Sequence, residues 1–271
     1  MKLIESKVEV IEQQSGLDGV YKQIELAGRT CYKSEDKITE DSAKGFVDRM
    51  IGSKHGAMLE HGTVYLSVPK EETEIVGFHG WCRYSKVCSD LVMEEPCNWL
   101  ITTNMRVLVE YDRLRDLKYI CEPTERHAKR ITARFTCDRG VSHEIVRHRV
   151  MSFAQESQRY VGYDKDKFGN EVVFVKPHWY EEEFPACLTW IESLKDAEKK
   201  YMELREAGLK PQDARGVLPN ATKTEIVVTG FESDWEHFFS LRSPKAGAQG
   251  PHPDIAKLAD ELYEKLNSVN K

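Results

Sequence analysis

One basic segment, Arg147 to Tyr160 with the sequence RHRVMSFAQESQRY, constrains this chain more than any other stretch. It holds three arginines and one histidine but a single carboxylate, Glu156. Arginine presents a rigid planar fork of donors that matches the oxygens of a phosphate or a carboxylate. Because the segment lacks matching acids of its own, we expect the fold to bring an anionic ligand or other acceptors to it.

The residues before this segment favour a helix that ends at the cations. Apolar residues between Val141 and Val150 are spaced partly as on one helix face, which places Arg147 to Arg149 at the helix end. Each cation there gains only about 0.3–1 kcal/mol from the helix dipole, too little to explain three in a row. A solvated basic helix end is the alternative. Ser157 and Arg159 favour a binding site, since they add donors suited to phosphate.

The distribution of charge also points to a small anionic ligand. The 271 residues carry a net charge of −6, which counts against a dedicated nucleic-acid binder. Between Arg126 and Arg159, however, eight Lys or Arg face three acids. A basic pocket in an acidic body suits a small anion better than a polyanion.

The apolar pattern and the cysteines bear on location. No apolar run approaches the roughly 18 residues of a transmembrane helix, and MKLIESKVEV at the N-terminus lacks the apolar core of a signal peptide. Seven scattered cysteines without a secretory signal predict a reduced protein of the cytoplasm, or of a host's cytoplasm for a viral source. A zinc site around Cys88 and Cys97 is a weaker alternative, because no pair is spaced as CxxC.

Hydrophobic periodicity predicts an α+β fold with a largely antiparallel sheet and packed helices, because the strands lack regular crossover helices. No glycine-rich loop follows a strand, which counts against a Rossmann site. Gly28 to Tyr32 is predicted as a loop, and Glu122 to Glu125 as a turn into a helix. Strands are predicted at Lys2–Ile11, Thr63–Val68, Ile131–Cys137, Val172–Val175 and Thr222–Thr229, a strand or helix at Met105–Glu110, and helices at Leu17–Ala27, from an N-cap at Thr39 to about 54–56, Phe184–Ala207, Asp213–Val217, Asp234–Leu241 and Ile255–Leu266.

Three further places carry groups suited to chemistry. His55, Glu60 and His61 could ligate a metal, but their spacing is not the helical HExxH pattern, and a helix-end histidine with a strand-entry pair explains them equally well. Arg215 alone would be an ordinary surface residue. Arg242 ends an apolar helix, so we expect it to face an enclosed site or a subunit junction, where it needs an acceptor.

Arg147-His148-Arg149, then seven residues, Ser157 and Arg159 together resemble the signature of the flavin-dependent thymidylate synthases. In that family a His-x-x-x-x-Glu-His segment lies against the flavin, and an Arg before a Leu-Pro pair contacts the nucleotide. The Arg that ends a later helix binds the pyrimidine. The resemblance covers five blocks: Ala27–Tyr32, His55–Val68, Ile131–Tyr160, Asp213–Pro219 and Phe231–Arg242.

The resemblance implies the fold of that family, in one catalytic domain over residues 1–271. It implies reductive methylation of dUMP to dTMP, with FAD as cofactor, NADPH as reductant and 5,10-methylenetetrahydrofolate as one-carbon donor. It further implies a homotetramer with sites between subunits, and no nucleic acid, membrane or metal as partner. Residues of about 69–130, which compact members lack, are predicted to form an inserted subdomain.

The resemblance also assigns roles to individual residues. Arg242 is the expected catalytic group, since it would stabilise negative charge on the uracil ring. The residues expected at dUMP are Glu144, Arg147, Gln155, Glu156, Ser157, Gln158, Arg159, Arg215 and Arg242. The residues expected at FAD are His55, Glu60, Arg147, His148, Arg149, Gln155 and His237.

The chain departs from the family pattern at several flavin positions. Ala57 stands where a Ser or Thr is common, Phe231 and Ser233 stand where Asn and Arg are common, and Glu144 stands where Gln is common. Cys31 is the one serious candidate for a nucleophilic thiol, although flavin chemistry requires none.

Two alternatives come from other classes of protein. The first is a nucleic-acid-binding module that uses Arg126 to Arg159. The second is a metal-dependent phosphohydrolase, whose ligands would be His55, His61, His143 and His148.

Overall fold

The computed structural model describes residues 1–89, 98–182 and 184–268, so Cys97 lies outside the described residues. The strands there are β1 Lys2–Ile4, β2 Lys7–Ile11, β3 Thr63–Val68, β4 Lys86–Ser89, β5 Trp99–Asn104, β6 Arg130–Asp138, β7 Ser152–Gln155, β8 Val173–Val175 and β9 Lys223–Phe231. The α-helices are α1 Gly16–Tyr32, α2 Ser42–Gly52, α3 Gly56–Leu59, α4 Thr73–Trp81, α5 Met105–Glu110, α6 Arg139–Ile145, α7 Pro185–Glu206, α8 Pro211–Ala214, α9 Glu232–Arg242 and α10 Pro253–Ser268. No helix in these ranges is both long enough and apolar enough to cross a membrane.

A four-stranded antiparallel sheet in the order β2-β6-β9-β7 forms the centre. Its longest pairing joins β6 to β9 over nine residues, from Arg130 opposite Phe231 to Asp138 opposite Lys223. The predicted alternation of β6 is confirmed: Phe135 and its apolar neighbours point into a core closed by α6, α9 and α10. Asp138 ends the strand and accepts from the backbone N of Val141 at 2.8 Å, which caps α6.

A second core lies on the other face of the central sheet. Helices α1 and α2 pack there, together with a three-stranded antiparallel sheet in the order β3-β5-β4. Most of this smaller sheet, with α4 and α5, comes from residues 69–130, the part in which the sequence predicted little. The prediction of an α+β fold with largely antiparallel sheets is confirmed. The parallel pair of β1 with β8 is the exception in the described part of the chain.

Two predictions about the first fifty residues are wrong. Lys2–Ile11 is two strands, since β1 pairs with β8 and β2 pairs with β6. The predicted loop from Gly28 is the end of α1, where glycine admits a close approach: a Cβ on Gly28 would lie 2.3 Å from Cζ of Phe46. The helix ends only at Tyr32, and the next residue, Lys33, reverses the chain with a positive φ of 48°.

Other boundaries differ where tertiary contacts outweigh local pattern. Asp41 rather than Thr39 precedes α2, and residues 122–125 begin no helix. Helix α6 stops at Ile145, so the cations from Arg147 lie beyond its end. β7, which the sequence did not predict, is a four-residue strand held by pairing with β9. The predicted positions of β8, α7, α9 and α10 are confirmed within about three residues.

A buried charge network ties the end of α1 to β9. Glu225 on β9 lies 2.8 Å from Nζ of Lys33 and 2.6 Å from Nζ of Lys223. Lys223 also lies 2.9 Å from a carboxylate oxygen of Glu156. Burial alone would raise the pKa of Glu225, but the two lysines outweigh it and lower that pKa to about 2.

We therefore predict that Glu225→Gln lowers the free energy of unfolding at pH 7 by about 1–3 kcal/mol. The folded-state pKa lies below the ordinary value of 4.5, so the stabilisation is full above that pH. It is lost as the pH falls toward about 2. Urea unfolding of both proteins at several pH values should show a difference in the free energy of unfolding that narrows as the pH falls from 4.5 toward about 2. A gap that stays constant down to about pH 3, or no gap at pH 7, would contradict the account.

The matched control is Glu35→Gln, since Glu35 also pairs with Lys33, at 3.1 Å, but is about a third exposed. Solvent screens such a pair, so this substitution should cost no more than about 1 kcal/mol.

Candidate active site

The ends of α6 and α9 meet at an ion pair between two predicted site residues. Nη1 of Arg242 donates to Oε2 of Glu144 at 2.5 Å. Both side chains are largely but not fully buried. Nε of Arg242 is buried and has no hydrogen-bond partner among the described residues. A buried guanidinium donor without an acceptor is costly, so this junction can accept a further polar ligand.

His148 and His237, both predicted at the flavin, lie beside this junction. Their ring centroids are 6.4 Å apart, and His148 contacts the ring of Phe238 edge-on at 4.8 Å. Nδ1 of His148 lies 3.0 Å from the carbonyl of Ile145 and must carry the proton, since a carbonyl only accepts. Burial lowers the pKa of His148, and Arg242 lowers it further, against the effect of that carbonyl. His148 is therefore neutral near pH 7, with Nε2 as an acceptor.

The segment after β7 is anchored by its own predicted site residues. Nε2 of Gln155 donates to the hydroxyls of Ser142 at 2.8 Å and Thr224 at 3.2 Å. Glu156 is buried on Lys223, and its backbone N donates to the carbonyl of Glu225. These contacts occupy the Gln155 amide and one Glu156 oxygen. The two side chains therefore position the loop that carries the cations.

Four arginines predicted to contact dUMP or FAD face outward. Four arginine side chains are exposed, and none forms an ion pair with another described residue: Arg147, Arg149, Arg159 and Arg215. Nε of Arg215 donates to the carbonyl of Gln212 at 3.1 Å, which leaves its terminal nitrogens available. Ser157 donates its backbone N to Cys31 and accepts the backbone N of Arg159 on its hydroxyl, at 3.3 Å. Gln158 is buried beside Tyr163.

An aromatic contact that the sequence did not predict links His55 to this segment. The hydroxyl of Tyr32 lies 3.1 Å from Nδ1 of His55, and its ring lies 5.6 Å from that of Tyr160 in an edge contact. His55, which directly precedes α3, is therefore linked to the basic segment by the contacts of Tyr32 and Tyr160. Tyr32 and Tyr160 are the last residues of two blocks that resemble the family. That position was the one sequence signal that could have indicated their contact.

Glu60 and His61 are held by neighbours inside the chain. Arg106 from α5 binds the carboxylate of Glu60, and Nη1 of Arg130 donates to its carbonyl at 3.1 Å. His61 is fully buried, with Nδ1 2.9 Å from the hydroxyl of Thr229. Burial and the charge of Arg130 lower the pKa of His61 to about 3, so its ring is neutral. His61 is a packing residue of the sheet.

The structure does not assemble the ligands of the phosphohydrolase alternative. In the described ranges, three side chains of metal-ligand type come within 4.8 Å of one another in one group, His178, His252 and Asp254. That group contains none of the four histidines that the alternative requires.

Two cavities lie apart from most of the predicted site residues. A cavity of about 740 Å³ opens between β2, β3, β6 and the end of α10, and its lining includes Thr63, Tyr65 and Arg130. A smaller one of about 300 Å³ is lined by Lys33, Glu156 and Lys223, among others. Neither of these two cavities is lined by Arg242 or by the four exposed arginines.

A family model supports the relationship that the signature suggested. The model described as thymidylate synthase complementing protein matches residues 122–270. The chain is 36% identical over 158 residues to the flavin-dependent thymidylate synthase of Thermococcus kodakarensis, covering 58% of this chain and 62% of that one. It is 39% identical over 137 residues to the enzyme of the same name from Geobacter sulfurreducens, covering 48% and 53%.

The similarities to curated relatives are partial in length. The chain spans about half the length of the curated relatives it matches, from 43% to 62%. Among solved structures, it is similar to a UMP/dUMP methylase PolB from Streptomyces cacaoi bound with 5-Br dUMP, at 17% identity and a TM-score of 0.48 over 99% of this chain and 93% of that one. Because the family model covers more than half of the 271 residues, the chain belongs to the thymidylate synthase complementing protein family.

Proposed function

We propose that the protein is a flavin-dependent thymidylate synthase that methylates dUMP reductively to dTMP. The observation that carries the proposal is the junction of α6 and α9, where Arg242 holds Glu144 at 2.5 Å beside His148 and His237. This junction lies within the residues that match the family model. It offers a planar cation for a pyrimidine next to a neutral histidine. The four exposed arginines lie between Glu144 and Arg242 in the sequence.

Arg242 would act directly on the pyrimidine. In the free chain Glu144 neutralises it, so bound dUMP would take over part of the guanidinium from that carboxylate. A fixed cation there stabilises the negative charge that develops on the ring as its C5–C6 bond reacts. The free Nε supplies a donor that costs no existing hydrogen bond.

The dUMP phosphate would bind to exposed cations of the basic segment and to Arg215, which follows α8. Ser157 supplies a hydroxyl, Arg159 and Arg215 supply guanidinium groups, and Arg147 lies at the start of the basic segment. Each charge-assisted contact contributes about 1.5–3 kcal/mol. Gln155, Glu156 and Gln158 would act through the loop, since internal contacts already hold them.

FAD would be held by His55, Glu60, Arg147, His148, Arg149, Gln155 and His237. These groups fit the cofactor in charge, since the two arginines lack partners in the described chain and can meet its phosphates. His148 presents a neutral acceptor, and His55 is oriented by Tyr32. Glu60 would contribute mainly by fixing the backbone, because Arg106 holds its carboxylate. When bound, flavin supplies the hydride chemistry.

NADPH as reductant, 5,10-methylenetetrahydrofolate as one-carbon donor and a homotetramer complete the proposal. The arginines that face outward support shared sites, because the described residues of one chain form no ion pair with them. Residues 1–271 would act as one catalytic domain with an inserted segment at about 69–130, in the cytoplasm. Neither nucleic acid nor membrane is proposed as a partner.

The direct test is the visible spectrum and product analysis of the purified protein. We expect bound FAD, oxidation of NADPH that dUMP accelerates, and dTMP formed only when the folate donor is present. The acceleration follows because dUMP completes the site around Arg242. Omission of each component in turn is the control.

A colourless protein that forms no dTMP after FAD is added back would contradict the proposal. Affinity for oligonucleotides that falls steeply with salt in such a protein would favour the nucleic-acid alternative.

A second prediction concerns Cys31, whose carbonyl accepts the backbone N–H of Ser157 in the basic segment. Burial, and secondarily Glu156, raise the pKa of the Cys31 thiol to about 11, so it is protonated at neutral pH and a poor nucleophile. Cys31→Ser should therefore keep its flavin and form dTMP at close to the unaltered rate. Circular dichroism and flavin content show whether the variant is folded and loaded. A folded, loaded variant without product would show that the thiol takes part.

A further inference from the structure

Two histidines and an aspartate converge where the turn after β8 meets the start of α10. Nδ1 of His178 lies 3.3 Å from Oδ1 of Asp254, and Nδ1 of His252 lies 3.7 Å from Oδ2 of the same carboxylate. One ligand-type atom from each residue lies within 4.8 Å of the other two, and no other group of three in the described chain meets that distance. The fold thus brings two imidazoles onto one carboxylate, outside the residues assigned to dUMP or FAD.

The spacing of these atoms fits a shared metal ion better than a shared proton. A charge-assisted hydrogen bond from a ring nitrogen to a carboxylate spans about 2.7–2.9 Å, which is shorter than either contact here. Around a tetrahedral Zn²⁺ with bonds of about 2.0–2.1 Å, neighbouring ligand atoms lie about 3.3–3.5 Å apart. The two imidazole rings are nearly perpendicular, at 82°, with centroids 5.5 Å apart. Two imidazoles on one such ion have centroids about 5 Å apart, so small side-chain rotations would complete the coordination.

Tertiary contacts hold the turn that carries His178. The backbone N of His178 donates to Oδ1 of Asp254 at 2.7 Å. The rings of the next two residues, Trp179 and Tyr180, contact that of Trp190 on α7 at centroid distances of 5.9 and 6.0 Å. The turn is therefore fixed to both α7 and α10 without an ion.

The other two ligands stand on an equally constrained backbone. His252 lies between Pro251 and Pro253, and Pro253 is the first residue of α10. Proline fixes its own φ and restricts the residue before it, so the position of His252 varies little. Asp254 lies in the first turn of α10, a helix whose apolar face packs into the main core. Ligands held in this way lose little conformational freedom when an ion binds.

The surroundings leave the carboxylate and the rings available to a cation. Two lysines close to the ligands in sequence, Lys176 and Lys257, both pair with Glu5. Nδ1 of His252 accepts the backbone N of Asp254 at 3.4 Å, so this nitrogen carries a lone pair, as a metal ligand must. Both rings are partly exposed, which gives an ion access and leaves a position for water.

We propose that His178, His252 and Asp254 bind a divalent transition-metal ion, and we assign it as Zn²⁺. Two imidazoles and a carboxylate at tetrahedral spacing suit Zn²⁺, whereas Mg²⁺ and Ca²⁺ prefer sites built of oxygen atoms. The ion would join the turn after β8 to the first turn of α10. Because α10 packs with α6 and α9 in one core, the ion would also stabilise the helices that carry Glu144 and Arg242. The site uses no residue assigned to dUMP or FAD, so it stands independently of the proposed function.

The test is calorimetric titration of the full chain with Zn²⁺ after treatment with a chelator. We expect one Zn²⁺ per chain, and His178→Gln or His252→Gln should weaken binding by about a hundredfold, since even groups that only orient a ligand contribute about 10–100-fold. Asp254→Asn should weaken it as much, although its amide oxygen can still accept the backbone N of His178. The matched control is His143→Gln, at an exposed histidine outside the cluster, which should bind Zn²⁺ like the unaltered chain.

Two further measurements identify the ligands and the role of the ion. The chain has seven cysteines, so Co²⁺ is substituted for Zn²⁺ and difference spectra are recorded. Nitrogen and oxygen ligands give visible bands without the near-ultraviolet band of a cobalt–thiolate bond. Zn²⁺ should raise the urea midpoint of the unaltered chain and of His143→Gln but not that of Asp254→Asn.

The absence of saturable Zn²⁺ binding by the unaltered chain would overturn the proposal. So would affinities of the three cluster variants equal to that of His143→Gln, or a cobalt spectrum with the thiolate band, which would place the ion on cysteines. Circular dichroism shows whether each variant is folded. If one is not, the titration and the cobalt spectrum of the unaltered chain still decide the matter.

Discussion

The antiparallel pairing of β6 with β9 is the constraint on which the candidate site depends. Each strand has nine residues, or about 30 Å, and each is followed by a helix on the same face of the sheet. Because the strands are antiparallel, the two helices start at opposite ends and run toward each other. With 11 and seven residues they are about 16 and 10 Å long, so their ends meet. That meeting point is the pair of Arg242 and Glu144.

The charged groups around the site fall into two sets. Acids form ion pairs inside the chain, as Glu156 does with Lys223 and Glu60 does with Arg106. The exposed arginines have no ion-pair partner among the described residues. His148 and His61 are neutral, because burial lowers the pKa of each ring. A surface left with cations and neutral acceptors suits ligands that carry phosphates.

Local pattern predicted those elements whose residue types follow a regular period. β6 alternates apolar with polar residues, and α10 keeps a continuous apolar stripe, so both follow from the sequence. The extension of α1 through Gly28 could not be predicted, since its cause is the ring of Phe46 on another helix. β7 is only four residues long and depends on pairing with β9.

In the candidate site too, local features could be predicted from the sequence and long-range contacts could not. The basic segment and Arg242 stood out by composition and by resemblance, but their partners are distant in sequence. Nζ of Lys86 donates to the hydroxyl of Ser233, 147 residues away, and nothing near either residue predicts this contact. Lys223 and Glu225 alternate on one face of β9, a signal that could have indicated the buried network with Glu156.

The central claim is that the Arg242 guanidinium exchanges its contact with Glu144 for a contact with the pyrimidine when substrate binds. A crystal structure of the full chain with FAD and dUMP tests it most directly. We predict a hydrogen bond between the guanidinium of Arg242 and the uracil ring, with the contact to Glu144 lengthened or broken. A bound dUMP whose ring lies away from Arg242, with the pair to Glu144 intact, would contradict the account.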